Sequence, residues 1–260
     1  MTTVIIGSGN IATIFGEKIA AAGHPVIQIV ARKPGRAAAL AQSLGCAWTS
    51  DYAEIDRTAE LYIVALSDAA LETLGEELTL PSKLVVHTSG TAPLALLQPV
   101  SDRCGVIWPL QSIRAEIRPI PPIPLLVDAF DAADRATLET FAKTFSAQVH
   151  YADDGTRLKL HLAAVLTNNF TNYLYTLAAG YCQMENLDFS LLLPLIRETA
   201  DRLERYPPDT TQTGPAARGD RTTIARHMKQ LNNYRNIREL YELFTIQIEE
   251  HYEHERIGKI

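Results

Sequence analysis

The opening residues constrain the fold more than any other part of the chain. Thr3 to Ile6 is a β-branched apolar run that leads directly into Gly7-Ser8-Gly9-Asn10-Ile11-Ala12. Ile11 to Ala22 then carries apolar residues at helical spacing until Gly23 stops the pattern. Strand, tight turn and helix in that order begin a doubly wound α/β sheet. In the turn, Gly7 permits the sharp bend, Gly9 leaves the backbone open to a pyrophosphate, and Ala12 lets the helix pack closely on the strand. The free N–H groups and positive dipole of the helix start suit phosphate oxygens, so Gly7, Ser8, Gly9, Asn10, Ile11 and Ala12 are the expected dinucleotide contacts.

The same rhythm continues. Strand-like runs occur at Pro25 to Ala31, Leu61 to Leu66, Leu84 to His87, Gly105 to Trp108, Leu125 to Val127 and Gln148 to Tyr151. Helical segments such as Gly35 to Leu44, Ala69 to Leu78 and Ala132 to Phe145 separate them. Near-continuous apolar strands of this kind are covered on both faces, which predicts a mostly parallel Rossmann sheet over 1–153. After Asp153-Asp154 no strand pattern remains, and helices are expected at Leu158 to Glu185, Phe189 to Arg205, Thr222 to Leu231 and Tyr234 to Glu255. Residues 154–260 therefore read as a smaller all-α domain. Its Pro207 to Asp220 stretch reads as a long loop with a functional role.

The end of the second strand selects the cofactor. An NAD enzyme usually carries Asp or Glu there, ~20 residues past the glycine turn, to bind the ribose 2′-hydroxyl. This chain has Arg32-Lys33 instead. Both can form charge-assisted hydrogen bonds to a 2′-phosphate, which predicts NADP(H).

Ligands of such sheets bind beyond the carboxyl ends of the strands. Leu66 and Ser67, Ser89 after His87, and Pro109-Leu110-Gln111-Ser112 occupy those positions. Leu66 and Ser67 are expected beside the cofactor, Ser89 beside the substrate, and Asp68 as a helix cap. His87 closes an apolar strand and is a candidate proton donor. On the first helix of the second domain, a step of seven residues places His161 and Asn168 on nearly one face, with Asn169 beside them. Polar groups on an otherwise apolar helix need partners if buried, and a cleft between the two domains is expected to provide them. His161 is accordingly the expected proton donor, with Asn168 and Asn169 orienting the substrate and Arg218 offered to an acidic group from the loop.

Composition narrows the partners. A net charge of −6 over 260 residues, with no long run of like charge, gives no footprint for nucleic acid or an anionic membrane, so a small molecule is expected. Cys46, Cys104 and Cys182 are odd in number and in no metal-ligand spacing, which fits a reducing, cytoplasmic setting. The chain lacks a signal-peptide pattern and an apolar run of ~18 residues.

The segments VIIGSGNIA, VVHTSG, WPLQS, HLAAVLTNNF and TGPAARGD, in this order, resemble a bacterial family of Rossmann-like NADP oxidoreductases with a C-terminal helical domain of unknown function. That family is similar in layout to pyrroline-5-carboxylate reductase and to the 6-phosphogluconate and 3-hydroxyisobutyrate dehydrogenases. The resemblance implies NADPH-dependent reduction of a C=O or C=N group and a homodimer formed through the helical domains. The β-hydroxyacid dehydrogenases carry a lysine one helical turn before an asparagine. Here Ala164 and Val165 stand at those positions, with Lys159 and His161 the nearby substitutes. The missing lysine leaves a second reading open, an NADP(H)-binding sensor or scaffold without hydride chemistry.

Overall fold

The computed structural model describes residues 1–257, with side chains to 252. Its strands are β1 (Thr3–Ile6), β2 (Val26–Val30), β3 (Ala47–Thr49), β4 (Leu61–Val64), β5 (Leu84–His87), β6 (Arg103–Pro109), β7 (Leu125–Ala129) and β8 (Val149–Tyr151). They form one sheet in the order β3-β2-β1-β4-β5-β6-β7-β8. All neighbours pair parallel except β6 and β7, which pair antiparallel. The chain moves outward from β1 through β2 to β3, then returns to the other side of β1 with β4. The crevice at that reversal, outside the carboxyl ends of β1 and β4, is where open α/β sheets bind ligands.

Alternation along each strand builds two cores, one on each face. Ile5, Ile63, Val86 and Ile107 pack on one side with helices α1 (Asn10–Ala21), α2 (Pro34–Leu44) and α5 (Ala132–Lys143). Val4, Ile6, Tyr62, Val64, Val85, Val106 and Trp108 pack on the other, against short helices α3 (Asp68–Glu72) and α4 (Leu74–Glu77). These two replace the single helix expected over Ala69 to Leu78. A period of two sends successive side chains to opposite faces, so a strand covered on both sides reads as a continuous apolar run.

The chain falls into two compact units, Met1–Phe170 and Thr171–Ile260. The change of sequence pattern near residue 153 precedes this division. Helix α6 (Asp154–Ala164) and the π-helical turn Val165–Phe170 belong to the first unit. The reason lies in what α6 touches. Arg157, 1% exposed, donates to the Ala92 carbonyl and pairs with Asp154 at 2.7 Å. The Asp154 carboxylate accepts the Leu94 N–H, and Leu160 packs against the second core.

The second unit contains α7 (Thr171–Met184), α8 (Leu193–Asp201), α9 (Pro215–Arg218), α10 (Arg221–Gln230) and α11 (Arg235–Ile257), with 3₁₀ turns between them. The segment Pro207 to Asp220, expected as a loop, is organised by a 3₁₀ turn at Pro208–Thr211 and by α9. Among the described residues, Cys182, Ala216 and Leu231 are the buried hydrophobic ones of this unit. Leu187, Leu191, Leu195 and Leu203 are all exposed, and Leu191 is 75% exposed. None of the described helices is long and apolar enough to cross a membrane.

Candidate active site

The glycine turn is held from below. Gly7 has φ +130°, and its N–H donates to the Val30 carbonyl at 2.8 Å. A Cβ added at Gly7 would lie 2.3 Å from the Ala65 carbonyl oxygen, so no side chain fits there. At Gly9 the opposite holds, since an added Cβ would meet no protein atom within 4 Å. Gly9 is the N-cap of α1, and no side chain caps the helix. Open backbone at Gly9, a helix start with unpaired N–H groups and a buried Ala12 fit a dinucleotide pyrophosphate. Ser8 and Ile11 are partly exposed on the same turn. The Asn10 amide instead donates to the Ile113 carbonyl at 3.2 Å, tying the turn to the loop that follows β6.

Arg32 lies just past β2, and its guanidinium pairs with Glu77 at 2.8 Å, both side chains being about half exposed. A cavity of about 520 Å³ opens beside this pair, lined in part by Ser50, Tyr52 and Arg57. Lys33 is the exposed N-cap residue of α2. Leu66 packs against the second core and Ser67 is the exposed N-cap of α3. The expected helix-capping role of Asp68 is corrected by these positions. Its carboxylate, one residue into α3, accepts the Thr91 hydroxyl across the ends of β4 and β5. Burial pushes the Asp68 carboxyl up, but the Thr91 and Ser89 hydroxyls and the nearby His87 and His161 rings outweigh it and leave it below its ordinary range.

A second cavity, of about 470 Å³, lies between the residues following β6 and the face of α6 and its π turn. Trp108, Leu110, Gln111 and Ser112 form one wall, and His161, Thr167, Asn168 and Asn169 form the other. The His161 and Trp108 rings sit 6.0 Å apart, centroid to centroid. Gly90 makes this contact possible, because a Cβ there would fall 2.7 Å from Trp108 Cε2 and 2.8 Å from His161 Cδ2. Both asparagines line the cavity, and the π turn sets how they do so. An α-helix advances about 100° per residue and would place Asn168 nearest the direction of His161. The wider i→i+5 turn advances less, which swings Asn169 toward that direction and Asn168 away from it, so the two amides sit at different angles along the wall.

The structure thus brings together His161, Asn168 and Asn169. It does not bring His87 to the cavity. His87 is fully buried, its Nδ1 accepts the Ser89 N–H at 3.2 Å, and its Nε2 lies near the Pro93 backbone without a hydrogen bond. Burial, reinforced by the Arg157 charge, lowers its pKa to about 4, so the expected proton donor near neutrality is instead a neutral internal ring. Ser89 is likewise engaged, its Oγ accepting the N–H groups of Thr91 and Ala92. Arg218 belongs to the second unit, where it is exposed at the end of α9 next to left-handed Gly219 (φ +70°). Sequence reasoning overlooked Trp108, whose place at the end of a sheet strand was the available signal, and Arg157.

A histidine with a lowered pKa makes stability fall with acid. The unfolded chain takes up the proton near pH 6.5, whereas the folded one resists until about 4. Stability should therefore be full above about pH 6.5 and decline to about pH 4, by an amount on the order of 3 kcal/mol. Denaturant unfolding across this range in wild type and His87→Asn checks it. Equal pH slopes in the two proteins would remove His87 as the cause.

Comparison with known proteins places the chain in a class. Residues 2–90 match the family profile described as NADP oxidoreductase coenzyme F420-dependent, and residues 123–248 match a domain of unknown function, DUF2520. A Bacteroides fragilis crystal structure, described as that of a "putative NADP oxidoreductase", is 37% identical and superposes with a TM-score of 0.87 over 96% of this chain and 98% of that one. The chain belongs to this family of NADP oxidoreductases, with a Rossmann-like sheet followed by a helical region. Two more distant structures share the fold. An imine reductase from Myxococcus stipitatus in complex with NADP+ is 16% identical, with a TM-score of 0.66 over 96% of this chain and 93% of that one. A pyrroline-5-carboxylate reductase from Coxiella burnetii is 17% identical, with a TM-score of 0.56 over 97% of each chain. Among curated proteins none matches the chain.

Proposed function

We propose that this NADPH-dependent oxidoreductase reduces a C=O or C=N group of a small metabolite held in the cavity between the β6 loop and the π turn. The observation that carries the reading is the convergence of His161, Asn168, Asn169 and Gln111 on one cavity, in the same compact unit as the glycine turn. NADPH supplies hydride to the electrophilic carbon. The His161 ring would donate a proton to the oxygen or nitrogen of the group being reduced, which balances the hydride gained at carbon. Asn168 and Asn169 hold the heteroatom or its neighbours by hydrogen bonds. Gly7, Ser8, Gly9 and the first turn of α1 bind the pyrophosphate, with Leu66 and Ser67 alongside. Arg32 and Lys33 bind the 2′-phosphate, and Arg32 leaves Glu77 to do so.

The second unit favours a homodimer. It buries few apolar side chains of its own among the described residues, while Leu191, Leu195 and their neighbours are exposed. A second copy would cover them. Three free cysteines suit a reducing cytoplasm.

The test is NADPH consumption over a panel of ketones, aldehydes and imines, repeated with NADH and with Arg32→Ala. Wild type should consume NADPH with at least one compound. Arg32→Ala should raise KM for NADPH by about tenfold or more and leave NADH little changed, since one charge-assisted contact is lost. Tight NADPH binding with no turnover across the panel would support the sensor reading. Equal use of NADH by wild type would defeat the 2′-phosphate assignment.

A further inference from the structure

The charge of the cavity walls says what kind of molecule they accept. Among the described residues lining the 470 Å³ cavity there is no Asp, Glu, Lys or Arg. Its polar lining consists of amides and hydroxyls, namely Gln111, Ser112, Thr167, Asn168 and Asn169, together with the His161 ring. Trp108, Leu110 and Leu160 supply apolar surface. Asp68 does not line the cavity, and its carboxylate is occupied by Thr91. Arg157 does not line the cavity: it is buried beneath the loop after β5, where its Nη2 donates to the Ala92 carbonyl and to Asp154 while its Nε and Nη1 have no hydrogen bond.

We infer that the substrate is uncharged outside its reacting group: a carbonyl or imine compound with a compact apolar body and no carboxylate, phosphate or ammonium. This rests on the reductase reading of the same cavity. An ion leaving water needs a counter-charge or charge-assisted hydrogen bonds, and neutral amides supply only the weaker kind. The Asn168 and Asn169 amides are well suited to a neutral C=O or C=N, because each can both donate and accept, whereas the Gln111 amide already donates to the Pro122 carbonyl and accepts the Ser112 N–H. Leu110, Leu160 and the rim of the largely buried Trp108 ring give a compact apolar body contact area without an electrostatic penalty.

The test compares matched pairs on the NADPH-loaded protein: 2-methyl-1-pyrroline with 1-pyrroline-5-carboxylate, and cyclohexanone with 4-oxocyclohexanecarboxylate. The uncharged member should show the higher kcat/KM, by about tenfold or more. Calorimetry with two unreactive lactams, 2-pyrrolidinone and 5-oxoproline, gives a readout independent of turnover, and 2-pyrrolidinone should bind more tightly. Gln111→Arg, which adds a cation to the wall, should shift both preferences toward the carboxylated member. Preference for the carboxylated compounds by wild type, equal binding of the lactams, or binding of neither overturns the inference. If 2-pyrrolidinone binds selectively and no compound is reduced, the reductase reading fails and the charge selection stands.

Discussion

His161→Ala should lower kcat by ~10²- to 10⁴-fold while NADPH affinity stays at its wild-type value, the loss typical of a missing general acid. His161 is the ionisable side chain among the described residues lining the cavity. Its ring is located from two sides, by Trp108 at 6.0 Å between centroids and by the absence of a side chain at Gly90. Proton delivery depends on such fixing, because a donor must lie within hydrogen-bond reach of the heteroatom as charge develops there. Turnover on a reducible substrate and NADPH titration by fluorescence separate the two effects. His161→Gln, which can donate a hydrogen bond but transfers no proton, should be nearly as slow as His161→Ala. Wild-type kcat in either variant would remove His161 from the chemistry.

The second large effect falls at the glycine turn, where two neighbouring substitutions should behave differently. Gly7→Ala forces a Cβ to within 2.3 Å of a backbone oxygen at a φ of +130°. Relief requires either the turn or the end of β4 to move. It should cost about 2–4 kcal/mol of stability and abolish measurable NADPH binding. Gly9→Ala meets no protein atom, so it should lose only the small capping advantage of glycine, on the order of 1 kcal/mol or less, and melt close to wild type. Its NADPH affinity should nonetheless drop by about 100-fold, because the methyl group occupies the approach of the pyrophosphate. Thermal melts with and without NADPH measure both. If Gly9→Ala binds NADPH normally, the turn is not the phosphate cradle.

The parallel sheet was legible because strands buried on both faces are written as apolar runs, such as LYIV and LVVH, that differ visibly from helical spacing. The glycine turn was legible because its backbone needs particular residues at particular steps. β3 was not, since Ala47 and Trp48 are exposed and a three-residue edge strand carries little apolar signal. The contacts that tie α6 to the sheet were not legible either: α6 has an ordinary helical sequence, and the burial of Arg157 depends on residues far along the chain. His87 could be assigned to a strand end but not to a core, because the Arg157 and Asp154 charges that surround it come from far along the chain. The π turn left no trace, as VLTNNF fits an α-helical pattern equally well.

That turn has a further consequence for how this chain can change. Between His161 and Asn169 it sets a phase, in the sense that a gear tooth sets the position of the next. Removing one residue from Val165–Phe170 would restore ordinary helical pitch and leave the composition almost untouched. It would also rotate one of the two amides out of the cavity. The length of this six-residue segment is therefore under as tight a physical constraint as the identity of Asn168 and Asn169 within it. Apolar exchanges at Leu166 and Phe170, which do not line the cavity, should be tolerated, and a single insertion or deletion should not.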